Sequence, residues 1–181
     1  VGSEMCIRDR VYGSAEGKSK FSEKTPYNPN SPYSATKAAS DHLVKAWHSS
    51  YGLPILISNC SNNYGPWQLP EKLIPLVIYK AINNQKIPIY GDGKNIRDWL
   101  YVDDHVEAII YCAIKGSIGS SYCIGGNNEY TNISIVKLIC GLLNEKVSSK
   151  RNFFDQIAFV ADRPGHDLRS VSYTHLTLPT T

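Results

Sequence analysis

The feature that most constrains this chain is a repeated alternation of short apolar runs with helix-length amphipathic segments. Val11-Tyr12-Gly13 reads as the end of a buried strand, and residues 14–30 as a polar loop holding Pro26 and Pro29. Ser31 then caps a helix with Pro32 at its first position; Leu43, Val44 and Trp47 share one face, and Gly52 stops it after Tyr51. Ile55-Leu56-Ile57 has the continuous apolar character of a strand buried on both faces. A polar loop over 60–71 leads into a helix at 73–83, followed by a strand at 87–90, a turn at 91–94 and a strand at 96–102. Asp103 caps a helix to about Lys115, and a strand at 122–124 ends at Gly125-Gly126. An amphipathic helix over 133–143 gathers Ile133, Val136, Ile139, Cys140 and Leu143 on one face, before a last strand at 157–160 and a loop at 162–167. Such alternation predicts an α/β class with a parallel sheet.

Composition narrows the function classes. A 42% hydrophobic content argues against disorder, and the longest apolar run, 73–82, is broken by Pro75 and Lys80, which argues against a membrane span. A net charge of +3 is too small to point to nucleic acid. The five cysteines form no C-x-x-C pair, so a zinc or redox motif is not expected; Cys112 and Cys140 read as small core hydrophobes in a reducing, cytoplasmic compartment. His42 and His48 are six residues apart on one helix, which does not align them as ligands, and His105 lies in the first turn of its helix; no metal site is expected. The twelve tyrosines read as half-buried packing with polar tips outward.

The ends differ from the middle. The first residue is Val1, with no signal-peptide pattern after it. Residues 1–10 and 170–181 lack periodicity, the last twelve contain no Asp, Glu, Lys or Arg, and both strings resemble translated sequencing-adapter sequence. They are expected to be foreign and are set aside in reasoning about the fold. Neither G-x-G-x-x-G nor a P-loop occurs, so a main dinucleotide phosphate loop is expected upstream of residue 1.

Three Y-x-x-x-K spacings occur: Tyr33/Lys37, Tyr90/Lys94 and Tyr111/Lys115. The second crosses a glycine turn, and in the third the lysine suits a helix C-terminus. Only Tyr33 and Lys37 stand at a helix start after a Pro-rich loop, where a ligand has access. On one helix face, a Lys ammonium near a phenol favours the phenolate, which takes a proton from a sugar hydroxyl. The alternative is surface decoration. Asn59 to Pro66 (NCSNNYGP) follows a strand, where loops of open α/β sheets line the ligand crevice; ordinary turn chemistry is the alternative. Arg97 and Arg163 are the best anion-binding candidates, against ion pairs with Asp98 or a neighbour for the first and Asp162 or Asp167 for the second. Gly91-Asp92-Gly93 reads as a hairpin or tight turn, not a phosphate loop.

Together the strings VYG, SPYSATKAASDHLVKAW, YGLP, NCSNNYGP, PEKLIP, IYGDG, IRDWLYVDDH, IGGNNE and VADRPGHD resemble the dTDP-glucose 4,6-dehydratase family of extended short-chain dehydrogenase/reductases, across residues 11–169. NCSNNYGP, PEKLIP and DRPGH in this order favour that family over sister UDP-sugar epimerases and decarboxylases. A non-catalytic nucleotide-sugar-binding module is the alternative of another class. The resemblance implies a partial Rossmann-type parallel sheet, its N-terminal part missing, plus a smaller α/β substrate-binding domain. Residues 11–59 would be a remnant of the NAD-binding domain and 60–169 mostly the substrate domain, with 96–125 returning to the first. It implies that Tyr33 is the base for oxidation at carbon 4, that Lys37 tunes it, and that Tyr33, Lys37 and Asn63 hold NAD. Asn62, Lys72, Leu73, Pro88, Ile89, Tyr90, Arg97, Asn132, Asp162, Arg163, Pro164, Gly165 and His166 would contact a dTDP-sugar, with Arg97 and Arg163 on its phosphates. Water elimination in the family uses a Thr-Asp-Glu run just before Val-Tyr-Gly. Here Arg8, Asp9 and Arg10 stand at those positions, so the chain alone is expected to be inactive. A homodimer through helices of the cofactor domain is implied for the parent enzyme, serving cell-surface glycans such as those made from dTDP-rhamnose.

Overall fold

Residues 11–14, 20–147, 151–162 and 168–170 are described by a computed structural model. In chain order the described elements are α1 (Pro32–Tyr51), β1 (Ile57–Cys60), β2 (Asn62–Tyr64), α2 (Leu73–Ile82), β3 (Ile87–Tyr90), β4 (Ile96–Tyr101), α3 (Val102–Lys115), β5 (Ser121–Ile124), β6 (Glu129–Thr131), α4 (Asn132–Lys146), a 3₁₀ turn (Phe153–Gln156), β7 (Ile157–Val160) and β8 (Arg169–Ser170).

Local chemistry sets the ends of α1. Ser31 is extended, its hydroxyl accepts from the Ser34 amide at 3.2 Å, and Pro32 follows with its φ already helical. Gly52 closes the helix at φ 68, its N–H donating to the His48 carbonyl at 2.8 Å, a left-handed cap that glycine adopts without steric cost. The buried stripe of α1 is Ser34, Ala38 and Asp41. The apolar residues Leu43, Val44 and Trp47 are instead exposed, so the face most hydrophobic in sequence is not the one packed here.

Among the described residues, three small sheets organise the rest. β1 pairs in parallel with β5, Ile57 opposite Ser121 and Cys60 opposite Ile124. β3 pairs in parallel with β7. β4 is the hub of the third sheet: parallel to β2 and β8, antiparallel to β6. The strand expected at 55–57 therefore begins only at Ile57, where pairing with the 120–124 segment starts. Within the expected loop over 60–71, Asn62–Tyr64 is a strand held by its backbone against Trp99–Tyr101, a pairing that needs no apolar side chains. The 91–94 turn is tight but joins no hairpin, because β3 and β4 belong to different sheets. Val11 and Tyr12 are buried in a 3₁₀ conformation rather than a strand, and the Val11 carbonyl accepts from the Asn28 amide at 2.9 Å. Tyr101, not Asp103, is the N-cap of α3; Asp103 and Asp104 occupy the first turn, where a carboxylate meets the positive end of the helix dipole.

The largest core packs α2, α4, β3 and β4 through Val77, Ala81, Ile87, Ile89, Trp99, Val136, Ile139, Cys140 and Phe153. Each fully buried aliphatic side chain in it contributes about 1.5–3 kcal/mol. A second cluster joins Cys60, Leu100, Ala108, Cys112 and Ile124 under α3, and a third joins Val11, Tyr12, Phe21, Ala38 and Cys123. Cys60, Cys112, Cys123 and Cys140 are all buried and none is in a disulfide, and burial pushes the thiols of Cys112, Cys123 and Cys140 up, that of Cys123 to about 11. Among the described residues no helix is long and apolar enough to cross a membrane.

Candidate functional site

The first group of candidates sits on the opening turns of α1. Tyr33 is half exposed, and the Lys37 ammonium lies 5.5 Å from the centroid of its ring. That is the juxtaposition expected of an i, i+4 pair on one helix face. In the Tyr90/Lys94 pair the lysine turns instead to Asp92, its ammonium 2.9 Å from the carboxylate. The backbone N–H of Lys94 and that ammonium hold Asp92 below the usual carboxylate range.

The second group follows β1. Asn59 is fully buried, and the chain passes through buried Ser61 into β2 with Asn62 and Asn63. The Asn63 amide Nδ2 donates to the Ser61 carbonyl at 3.2 Å and to Cys60 Sγ at 3.3 Å, and Gln68 donates to the Asn63 carbonyl at 2.8 Å. Four polar oxygens or hydroxyls here, Ser61 Oγ, Asn62 Oδ1, Asn63 Oδ1 and Gln68 Oε1, are buried without a hydrogen-bond partner. Each leaves about 1–3 kcal/mol of desolvation uncompensated until something polar meets it. Asn63, Tyr64, Pro66, Gln68 and Val102 line a cleft beside them.

The third group surrounds the 91–95 turn. The Ile133 amide donates to the Gly93 carbonyl and the Asn132 amide to the Asn95 carbonyl, both at 3.0 Å, so the start of α4 is pinned to the start of β4. This brings Asn132 and Arg97 to one corner. The Gly91 amide donates to the Val160 carbonyl at 2.9 Å, and the Asp162 carboxylate packs against Gly91, which adds the ends of β3 and β7 to that corner. Pro88 and Tyr90 are half-buried on β3, whereas the Ile89 side chain is in the core, leaving only its main chain for a ligand. Lys72 is the N-cap residue of α2, paired with Glu71 at 3.1 Å, and Leu73 opens that helix. Arg163, Pro164, Gly165 and His166 lie outside the described residues, as do Arg8, Asp9 and Arg10.

Arg97 and Asp98 are both buried but point to opposite faces of β4. Asp98 spends both carboxylate oxygens on backbone, accepting from Gly126 N at 2.8 Å and Asn128 N at 2.7 Å. Arg97 Nη1 donates to the Ile96 carbonyl at 2.7 Å. Asp98 is a residue that sequence reasoning cast only as a possible ion-pair partner. The sequence held no local signal for that role, because the amides it accepts from lie 28 and 30 residues downstream. A second omission is the set Tyr12, Tyr27, Asp41 and Asn59, joined by buried and part-buried hydrogen bonds. Asn59, two residues past the apolar run Ile55-Leu56-Ile57, was its nearest signal in the sequence.

The family described as GDP-mannose 4,6 dehydratase matches residues 8–175. This chain belongs to the GDP-mannose 4,6 dehydratase family. Within that family it is 57% identical over 163 residues to the dTDP-glucose 4,6-dehydratase of Xanthomonas campestris pv. campestris strain B100, covering 89% of this chain and 46% of the relative. The crystal structure of dTDP-glucose 4,6-dehydratase from Bacillus anthracis in complex with NAD superposes with a TM-score of 0.83 at 46% identity, covering 92% of this chain and 50% of that one. The dTDP-glucose 4,6-dehydratase of Streptomyces venezuelae, also solved with NAD bound, gives a TM-score of 0.83 at 41% identity over 92% of this chain and 49% of its own. The chain thus spans about half the length of the curated relatives it matches, and its α/β architecture is that of half a dehydratase fold.

Proposed function

We propose that the full-length parent of residues 11–169 is an NAD-dependent dTDP-glucose 4,6-dehydratase, and that this stretch supplies its base and most of its sugar-nucleotide contacts. The observation that carries the reading is the 57% identity to such an enzyme, sustained over 89% of the chain.

The residues present fit the dinucleotide. The unpartnered acceptors at Asn62, Asn63 and Gln68 suit a ligand rich in hydroxyl and amide donors, and Tyr33 with Lys37 offers a phenol and a cation side by side. Tyr33, Lys37 and Asn63 would hold NAD, which when bound supplies a two-electron acceptor that is regenerated within the cycle. Tyr33 takes the proton of the carbon-4 hydroxyl, and the Lys37 ammonium steadies the phenolate that Tyr33 must be to do so. Arg97, with Arg163, holds the diphosphate, while Asn62, Lys72, Leu73, Pro88, Ile89, Tyr90, Asn132, Asp162, Pro164, Gly165 and His166 hold the rest of the nucleotide sugar. Oxidation at carbon 4 acidifies the carbon-5 proton, and water then leaves across carbons 5 and 6. That step needs an acid and a base. Arg10 stands where the base is expected, so this sequence by itself is inactive in elimination.

The return of β5 to pair with β1 supports assigning 96–125 to the cofactor domain with 11–59. The exposed Leu43, Val44 and Trp47 support a homodimer through α1. A cytoplasmic enzyme feeding 4-keto-6-deoxy sugar to cell-surface glycans completes the reading. The test is turnover of dTDP-glucose by the full-length protein. A 4-keto-6-deoxy product is expected, and Tyr33→Phe should lower kcat by about 10²–10⁴-fold. Preference for a UDP-sugar, or full activity in Tyr33→Phe, would sink it.

A further inference from the structure

A largely buried hydrogen-bond network behind α1 is not used by the chemistry above. The Tyr27 hydroxyl donates to Asp41 Oδ2 at 2.9 Å and accepts from Asn59 Nδ2 at 3.1 Å. The same Asn59 amide donates to the Tyr12 hydroxyl at 2.9 Å, so its two N–H groups are divided between two phenols. Tyr12 in turn meets Cys123 Sγ at 3.4 Å. The network therefore ties together five parts of the chain: residues 11–14, the segment entering α1, α1 itself through Asp41, β1 and β5. Burial pushes the Tyr27 phenol up to about 12 and that of Tyr12 higher still, so both remain neutral hydrogen-bonding groups. The Tyr27 ring is held as well, edge-on to Tyr12 at 5.1 Å and to His42 at 5.4 Å, with the Lys45 ammonium 5.3 Å from its centroid.

The position of Tyr27 gives the network its consequence. Three residues separate it from the Ser31 cap and five from Tyr33. One residue after it, the Asn28 amide donates to the Val11 carbonyl. Asp41 lies two turns beyond Tyr33 on the same helix and is buried, whereas Tyr33 faces outward. The Tyr27–Asp41 bond thus fixes how far α1 is rotated and advanced, and the Tyr27–Asn59 bond fixes it against the strand that runs into Asn62 and Asn63.

We propose that Tyr27 is a positioning residue: through Asp41 and Asn59 it holds the opening turns of α1, and with them Tyr33 and Lys37, in place against β1 and residues 11–14. This rests on the reading of Tyr33 as the base. A shift of about 1 Å in a reacting group can cost on the order of a hundredfold in rate while leaving substrate affinity nearly intact.

The test uses the full-length protein with Tyr27→Phe, Asp41→Asn and Asp41→Leu. Tyr27→Phe is expected to lower kcat for dTDP-glucose about ten- to hundredfold with KM changed less than about twofold, and to speed amide exchange in residues 28–37. Asp41→Asn keeps an oxygen that accepts from Tyr27 and should stay within about threefold of the parent, whereas Asp41→Leu should match Tyr27→Phe. A Tyr27→Phe protein that melts earlier yet keeps its kcat would overturn the proposal, as would unchanged exchange in 28–37 or equal losses in the two Asp41 variants. If Tyr27→Phe does not fold, the Asp41 pair makes the same comparison. Absence of dTDP-glucose turnover in the unmodified protein defeats the functional reading instead, and the exchange comparison then decides the proposal alone.

Discussion

Asp98→Asn is the substitution whose effect can be worked most directly from the geometry. The wild-type carboxylate is fully buried and receives the Gly126 and Asn128 amides at 2.8 and 2.7 Å. Hydrogen bonds to a charged group contribute about 1.5–3 kcal/mol each. An amide of the same shape keeps one acceptor and turns an NH₂ toward the second backbone N–H. One bond is lost and one buried donor is orphaned, a local cost of about 2 kcal/mol or more. Since about 1.4 kcal/mol is a factor of ten, the amides of Gly126 and Asn128 should exchange at least about thirtyfold faster in the variant. The loop has no easy way to relax. Trp99 N donates to the Asn128 carbonyl at 3.0 Å, and a Cβ at Gly126 would stand 1.9 Å from the Trp99 carbonyl oxygen, so backbone already touches backbone there. The assay is hydrogen–deuterium exchange of the full-length protein resolved to residues 124–130, with α4 as internal reference. Exchange at 126 and 128 within twofold of wild type would refute the argument that Asp98 is the acceptor holding this loop.

Three further outcomes follow from burial. Ile87→Ala removes a fully buried side chain from the main core and should cost about 2–5 kcal/mol in urea unfolding. Cys123, its thiol raised by burial to about 11, should react with a thiol reagent at pH 8 far more slowly in the native protein than after unfolding. His105 is buried and burial lowers its pKa below the ordinary 6.5, so the unfolded chain binds the proton more readily; stability should be fully present above pH 6.5 and fall as the pH drops toward the folded-state value, and His105→Leu should flatten that decline in an unfolding series.

How much of this was legible beforehand depends on which force set each element. α1 was readable at both ends because Ser31, Pro32 and Gly52 act through their own backbones. Its buried side was not. Leu43, Val44 and Trp47 announce an apolar face, but a pattern cannot say what covers it, and the stripe that packs here consists of Ser34, Ala38 and Asp41, chosen for closeness and hydrogen bonding. β2 escaped notice because Asn62–Tyr64 pairs through main chain alone. The site divides in the same way. Tyr33 and Lys37 are local in sequence and their proximity follows from helix geometry, whereas the corner joining Arg97, Asn132 and Asp162 depends on long-range pairing that no spacing reveals.

The parallel pairings carry a kinetic consequence. Ile57 waits for Ser121 and Ile87 for Ile157, each partner more than sixty residues downstream. Closing such spans costs chain entropy before any ladder bond repays it, and folding slows as contacts become less local. During synthesis β1 and β3 therefore emerge before the strands β5 and β7 that pair with them, and those edges stay open until the partners have left the ribosome. Conditions that slow translation or crowd nascent chains should reduce the yield of this protein more than its native stability alone would indicate.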